Sequence, residues 1–419
     1  MAVIASSPGR LDGLQHRWLR EEEEEEEEEE MTPRERILAV YRGQTPDVVP
    51  YVLDLSHWFY HRRKMPWDLS VSYVDPEREL IDYHRQVGAG FYMPNLAAFY
   101  SVVYPPEVAV TVAKRSRDGA PEIVWRIETP DGVIQRARVW ESGTYSWAIS
   151  QWGVRTEADL RVFRRAMEAR RYEPHWDRYQ RWDEYVGDAG VVYLPLGYSA
   201  IGHLMHYWMG VEALLFAAAD WPGLLRDTVD AVNQNQLDLI DLACTSPAAI
   251  VIMGDNFSSD VQPPHFFAQW SRRYYEEAIL RLHRAGKFVA VHIDGRLRGA
   301  LRMIRQCRAD CADAVTPAPM GDLSPAECRD EAGGSFILSG GVSPDLWLPS
   351  APRAAFEAAV RQWLAQRETT FRFMAGAGDQ VPPGAEEERI HWMRDLVEQY
   401  GRFPAPGILA RNEDRDRGD

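Results

Sequence analysis

A closed (β/α)₈ TIM barrel with a small antiparallel β insertion near residues 107–140 is the fold class this sequence predicts, on three observations. From residue 33 onward, short apolar runs alternate with longer amphipathic stretches, the pattern of parallel strands joined by crossover helices. Eight such β units can be counted, the number that closes a barrel. The runs at 249–253, 288–292 and 336–338 are nearly continuous in apolar residues, as expected of strands covered on both faces. An open doubly wound sheet is the rival, but no Gly-rich dinucleotide turn follows any run.

The elements follow in order. Residues 21–30 are ten consecutive glutamates, which repel one another and have no apolar side to bury. Residues 1–30 are therefore expected to be a disordered acidic extension, carrying −8 of the chain's formal −16. Thr32-Pro33-Arg34-Glu35 then supplies an N-cap, a proline at the first helical position and a glutamate able to reach back to the cap. The barrel domain is placed at 31–405, with Met31 a candidate translation start. A helix over about 33–43, a strand over 48–54, a helix over 77–88 and a weak strand in GFYMPN (90–95) come first. Residues 107–140 break the rhythm: their alternating polar and apolar residues suit a sheet wet on one face, and Asp-Gly pairs at 118–119 and 131–132 supply turns. Helices over 156–186, 209–244, 263–285, 298–307, 324–331 and 351–366 then alternate with strands VVYLPL (191–196), AIVIM (249–253), FVAVHI (288–293), DAVT (313–316), FILSG (336–340) and FRFMAG (371–376). Helix 386–400 closes the fold, and 406–419 reads as a loose charged tail.

Composition narrows the function classes. The acidic balance argues against nucleic acid, which demands a basic face. No run of about 18 apolar residues spans a membrane, and residues 1–20 lack a secretory apolar core. Four cysteines in 419 residues make no disulfide framework. The expectation is a cytoplasmic protein acting on a small molecule.

In such a barrel the reacting groups sit at the C-terminal ends of the strands. Polar residues collect there: Asp54 and His57, Tyr198 and His203, Gly254, Asp255 and Asn256, His292 and Asp294, Asp322, Gly340 and Gly341, then Gly376, Gly378 and Asp379. Residues i and i+2 of a strand point the same way, so His292 and Asp294 aim together. Asp255, His292, Asp294 and Asp379 are the expected catalytic groups. His57, Tyr198, His203, Asn256, Gly340 and Gly341 are expected to contact substrate, the glycines either by cradling an anion with backbone N–H groups or merely by permitting a turn. A structural reading stands beside these: His292 and Asp294 ordering the loop before helix 298–307. His57-x3-His61 and His203-x2-His206 have metal-site spacings, but hydrogen-bonded histidines explain them as well.

The stretches GDNFSSDVQPPHFFAQWSRRYYEEAILRLHRAGKFVAVHIDG, MGDLSP, ILSGGVSPD and GAGDQVPPGAEEERI, with MTPRERILAVYRGQTPDVVP at the start, resemble the uroporphyrinogen decarboxylase superfamily over about residues 31–402. That resemblance implies a barrel enzyme of one of two branches, the uroporphyrinogen decarboxylases or the corrinoid-linked methyltransferases. The decarboxylases carry an Arg-Gln-Ala-Gly-Arg stretch for substrate carboxylates; LDLSHWFYHRRK stands here instead. Their aspartate after the second strand has only Asn95 as a counterpart, and their active-site tyrosine is matched, one residue out of step, by Tyr207. The methyltransferases bind zinc through His-x-Cys and a later Cys, where this chain has His292-x-Asp294 and Asp379. The resemblance therefore implies His292, Asp294 and Asp379 as ligands of a divalent metal, zinc or a harder ion, or else as a metal-free acid–base group. Methyl transfer from a small donor to a corrinoid carried by a partner protein is the favoured expectation. Decarboxylation of uroporphyrinogen is the alternative, and a non-catalytic tetrapyrrole-binding barrel the third.

Overall fold

The computed structural model describes residues 30–64, 75–92 and 99–404. The expected acidic extension, the charged tail and Asn95 lie outside the described residues. A break between Met31 and Thr32 separates the N-terminal segment from the main body, which starts at Thr32. The main body opens as the sequence dictates: Thr32 caps the helix Pro33–Arg42, and Thr32 and Glu35 form a reciprocal capping box.

Among the described residues, twelve strands follow in chain order. They are β1 (Tyr100–Val103), β2 (Ala109–Arg117), β3 (Ala120–Thr129), β4 (Gly132–Glu141), β5 (Ser146–Gln151), β6 (Arg171–Pro174), β7 (Leu194–Leu196), β8 (Ile250–Phe257), β9 (Phe288–Ile293), β10 (Cys311–Val315), β11 (Ile337–Val342) and β12 (Phe373–Ala377). Strands β7 to β12 form one parallel sheet in sequential order.

Hydrogen bonding does not stop at its edges. Val52 N–H donates to Ala375 O at 2.9 Å and Ala375 N–H to Pro50 O at 2.8 Å. Gly90 N–H donates to Tyr51 O at 2.7 Å, while Phe91 N–H reaches Ala189 O and Val191 N–H reaches Phe91 O, both at 2.9 Å. The expected first and second strands are thus present as parallel bridges that link β12 round to the segment entering β7, and eight strand positions complete a ring. The first stays short for a local reason: Pro50 has no N–H to offer a ladder. This ring is the (β/α)₈ barrel rather than an open sheet.

Side chains sort by the two-residue period of a strand. Val52, Tyr92, Tyr193, Ile250, Ile252, Ala290, Cys311, Ile337 and Met374 pack together inside the ring, with Ile37, Val40 and Tyr41 of the first helix against them. Leu53, Val251, Met253, Val289, Val291, Leu338, Phe373 and Ala375 belong to the larger layer shared with the helices. The same alternation turns Asp54, His292 and Asp313 inward, two residues beyond Val52, Ala290 and Cys311.

The insertion is a four-stranded antiparallel sheet, β2-β3-β4-β5, which runs on to Gln151, past the expected limit at 140. Ile127 and Ile134 bury one face with Leu160 and Phe163 of the helix Glu157–Ala169. Its edge strand β2 is exposed throughout, and Lys114, Arg115 and Arg117 blunt that edge.

The helices expected over 156–186 are Glu157–Ala169 and Trp176–Val186, with a short strand between them. Pro174 disfavours helical geometry in the residue before it, and Arg171–Pro174 instead pairs antiparallel with β1. Pro222 similarly divides 209–244 into Val211–Asp220 and Pro222–Cys244. Among the described residues no helix is long and apolar enough to cross a membrane.

Candidate active site

His292 and Asp313 are adjacent across β9 and β10, and His292 Nδ1 lies 2.9 Å from Asp313 Oδ2. Asp313 is 1% exposed. On the other side of the ring, His292 Nε2 faces Asp379 Oδ1 at 3.9 Å, too far for a hydrogen bond. Burial by itself would lower the His292 pKa; the Asp313 hydrogen bond and the charges of Asp313, Asp379 and Asp294 outweigh it and raise it to about 9. The ring is therefore an imidazolium at neutral pH. Its Nδ1–H is committed to Asp313, and its Nε2–H points into the mouth.

Asp379, just past β12, has its carboxyl pushed above the ordinary value by its sheltered position, with Asp294 and Asp54 adding and His292 opposing. Asp54 is anchored at both oxygens: Ser56 N–H donates to Oδ1 at 2.9 Å and Gln380 Nε2 to Oδ2 at 3.1 Å. Tyr92 stands over the same acids, its phenol held far above its usual range by burial and by the charges of Asp313, Asp54 and Asp379. One imidazolium ringed by carboxylates can give a proton at Nε2.

Of the expected residues, His292, Asp294 and Asp379 are brought within one another's fields. Asp294 is exposed at the rim. Asp255 is not part of the group. It is 1% exposed. Its Oδ1 accepts Ser199 N–H at 2.6 Å and its Oδ2 accepts Tyr275 O–H at 2.7 Å. These bonds hold Asp255 between β8 and its helices.

Asn256 accepts from the Tyr198 hydroxyl at 3.4 Å, and the Tyr198 and Tyr207 rings meet edge to face at 4.8 Å. His203 is half-buried with Nε2 2.9 Å from Gln236 Nε2, and desolvation holds its pKa well below the ordinary value. His57 Nε2 donates to Tyr145 O at 2.8 Å and ties the insertion to the helix Ser56–Arg62. Gly340 and Gly341 are buried inside β11 with φ of 143° and 124°. A Cβ would sit 2.4 Å from Val315 O at Gly340 and 2.5 Å from the Trp363 ring at Gly341, so close packing accounts for both glycines.

Among the described residues no group of three or more His, Cys, Asp and Glu side chains is placed to hold a metal ion.

Sequence reasoning missed Asp313 and Tyr92 as members of the site. A lone aspartate in the apolar run Cys311-Ala312-Asp313-Ala314-Val315 was the available signal. Tyr92 offered none, because a tyrosine in a weak strand reads as core.

Residues 197–400 match a family model described as uroporphyrinogen decarboxylase (URO-D). No curated protein sequence matches. Among solved structures, a methyltransferase from Methanosarcina mazei is similar at 13% identity and a TM-score of 0.58, over 88% of this chain and 99% of that one. A D-psicose 3-epimerase from Clostridium cellulolyticum H10 is similar at 9% identity and a TM-score of 0.32, over 55% of this chain and 85% of that one.

Proposed function

We propose that this chain, which belongs to the uroporphyrinogen decarboxylase superfamily, transfers a methyl group from oxygen or nitrogen of a small donor to a corrinoid carried by a separate protein. The observation that carries the reading is the His292 imidazolium, fixed at Nδ1 by Asp313 with Nε2 left open towards Asp379. When the methyl group leaves, the electron pair of the broken bond stays on oxygen or nitrogen, and an alkoxide leaves poorly unless a proton reaches it. His292 Nε2 supplies that proton. Asp313 stabilises the charge before transfer and orients the ring, and Asp379 and Asp294 hold the field that keeps the ring protonated. The corrinoid supplies the nucleophile; no residue of this chain is asked to form a bond to the methyl group. The methyltransferase among the similar structures agrees with this reading in fold.

The family model's own description favours a second reading, decarboxylation of uroporphyrinogen. Against it, arginines in the segment that replaces the decarboxylase stretch are already committed: Arg62 pairs with Glu387 and Arg63 with Glu79. Anaerobic incubation of the protein with uroporphyrinogen III separates the two. Accumulation of coproporphyrinogen would overturn methyl transfer. Methylation of a reduced corrinoid protein from a methoxylated or N-methylated donor, lost in His292→Gln, supports it.

A further inference from the structure

Arg136 and Arg138 stand two apart on β4 and so share a face of the insertion. Arg136 is 8% exposed, yet its Nε and Nη1 have no hydrogen-bond partner. Arg138 Nε is also unpartnered, as is Nε2 of His206, whose backbone carbonyl accepts from Arg138 Nη2 at 3.2 Å. Among the described residues neither guanidinium is paired with a carboxylate. Arg389, 1% exposed, shows what a structural arginine looks like in this protein: it bonds Glu386, Leu346 O and Ala351 O.

Aromatic rings hold the two arginines in place. The Arg136 guanidinium lies 3.9 Å from the Trp125 ring centre, and Arg136 and Arg138 flank Tyr207 at 5.0 and 4.8 Å. Tyr207 meets Tyr198, which bonds Asn256 at the end of β8, so the cluster belongs to the rim of the barrel. The far end of the same insertion reaches another part of that rim, where Tyr145 O–H donates to Tyr60 O at 2.9 Å. The insertion therefore brings two like charges and a set of donors without acceptors to the reaction mouth.

We propose that Arg136 and Arg138 form a carboxylate-binding site that holds the anionic end of the methyl donor. This rests on the methyl-transfer reading and names its substrate class. Planar guanidinium forks match a planar carboxylate in bidentate geometry, and an anion cancels the repulsion between the pair. Two arginines suit one carboxylate.

Isothermal titration of the full chain with benzoate, and with benzamide as its uncharged counterpart, reads this site without turnover. Benzoate is expected to bind at least ~10-fold tighter than benzamide, as a site built for a charged partner discriminates. Arg138→Gln removes that preference and Arg138→Lys keeps part of it. Arg136→Lys, which retains charge without the fork, is read for the same loss should Arg138→Gln fail to melt cooperatively. Equal affinity for the two compounds, or a benzoate preference unchanged in these variants, overturns the site. Inorganic phosphate bound more tightly than benzoate overturns the carboxylate assignment. Benzoate binding that persists in His292→Gln is expected, so a failure of the methyl-transfer chemistry is separable from a failure of the anion site.

Discussion

His292 and Asp313 are register partners on neighbouring parallel strands, and the histidine Nδ1–H donates to the aspartate at 2.9 Å from a position with 15% of its side chain exposed. Adjacent strands in register hold this pair without a loop, so its geometry is as rigid as the barrel. The pair sets both the charge of the imidazole and its direction, and four expectations follow from the site around it.

Replacing the proton donor removes the chemistry and leaves the fold. His292→Gln is expected to lower the methyl-transfer rate constant by about 10²–10⁴-fold, the usual worth of a positioned acid. Single-turnover kinetics at saturating donor would check this; a loss confined to KM would reassign His292 to binding.

Asp313→Asn exchanges a charged partner for a neutral one. The His292 pKa should fall from about 9 towards its ordinary value, with Asp379→Asn producing a smaller fall because Asp379 lies at 3.9 Å. NMR titration of the His292 ring reads both. The stability consequence has a definite sign. A folded pKa above the unfolded one gives stabilisation that is complete below pH ~6.5 and is lost as pH rises through about 9. Urea melts across that window should therefore lose more stability in the wild-type chain than in Asp313→Asn.

Asp255 tests position against chemistry. Asp255→Ala strips acceptors from Ser199 N–H and Tyr275 O–H, both buried, and is expected to cost about 1–3 kcal/mol for each donor left unpaired. Thermal melting should drop, while the folded fraction keeps its pH–rate profile. A profile displaced along the pH axis would return Asp255 to the catalytic group.

Gly341→Ala places a Cβ 2.5 Å from Trp363 in a backbone conformation at φ 124°. Overpacking and strain together are expected to destabilise by about 2–4 kcal/mol. A urea midpoint unchanged by this substitution would show that packing does not explain the glycine.

Much of the fold was legible because it depends on local patterns. The Thr32–Glu35 capping box, the apolar strand runs and the Asp-Gly turns of the insertion are short-range signals, and each stands where the residues put it. The breaks at Pro174 and Pro222 were legible too, since proline restricts the residue before it, but the long apolar periodicity on either side masked them. The site was only half legible. His292, Asp294 and Asp379 stood out as polar residues at strand ends. Asp255 stood out for the same reason, and its carboxylate is taken up by Ser199 N–H and Tyr275 O–H.

The sequence by itself determined a barrel with an inserted sheet and a histidine at the end of β9, because periodicity, caps and turns act over a few residues. The tertiary structure alone decided that Asp313 rather than Asp294 holds that histidine, and that Arg136 and Arg138 of the insertion arrive at Tyr207 without a carboxylate. Those outcomes depend on which strand lies beside which, and on where a sheet packs after the chain has closed its ring. Contacts between residues distant in sequence are set by that closure, and no local pattern records them.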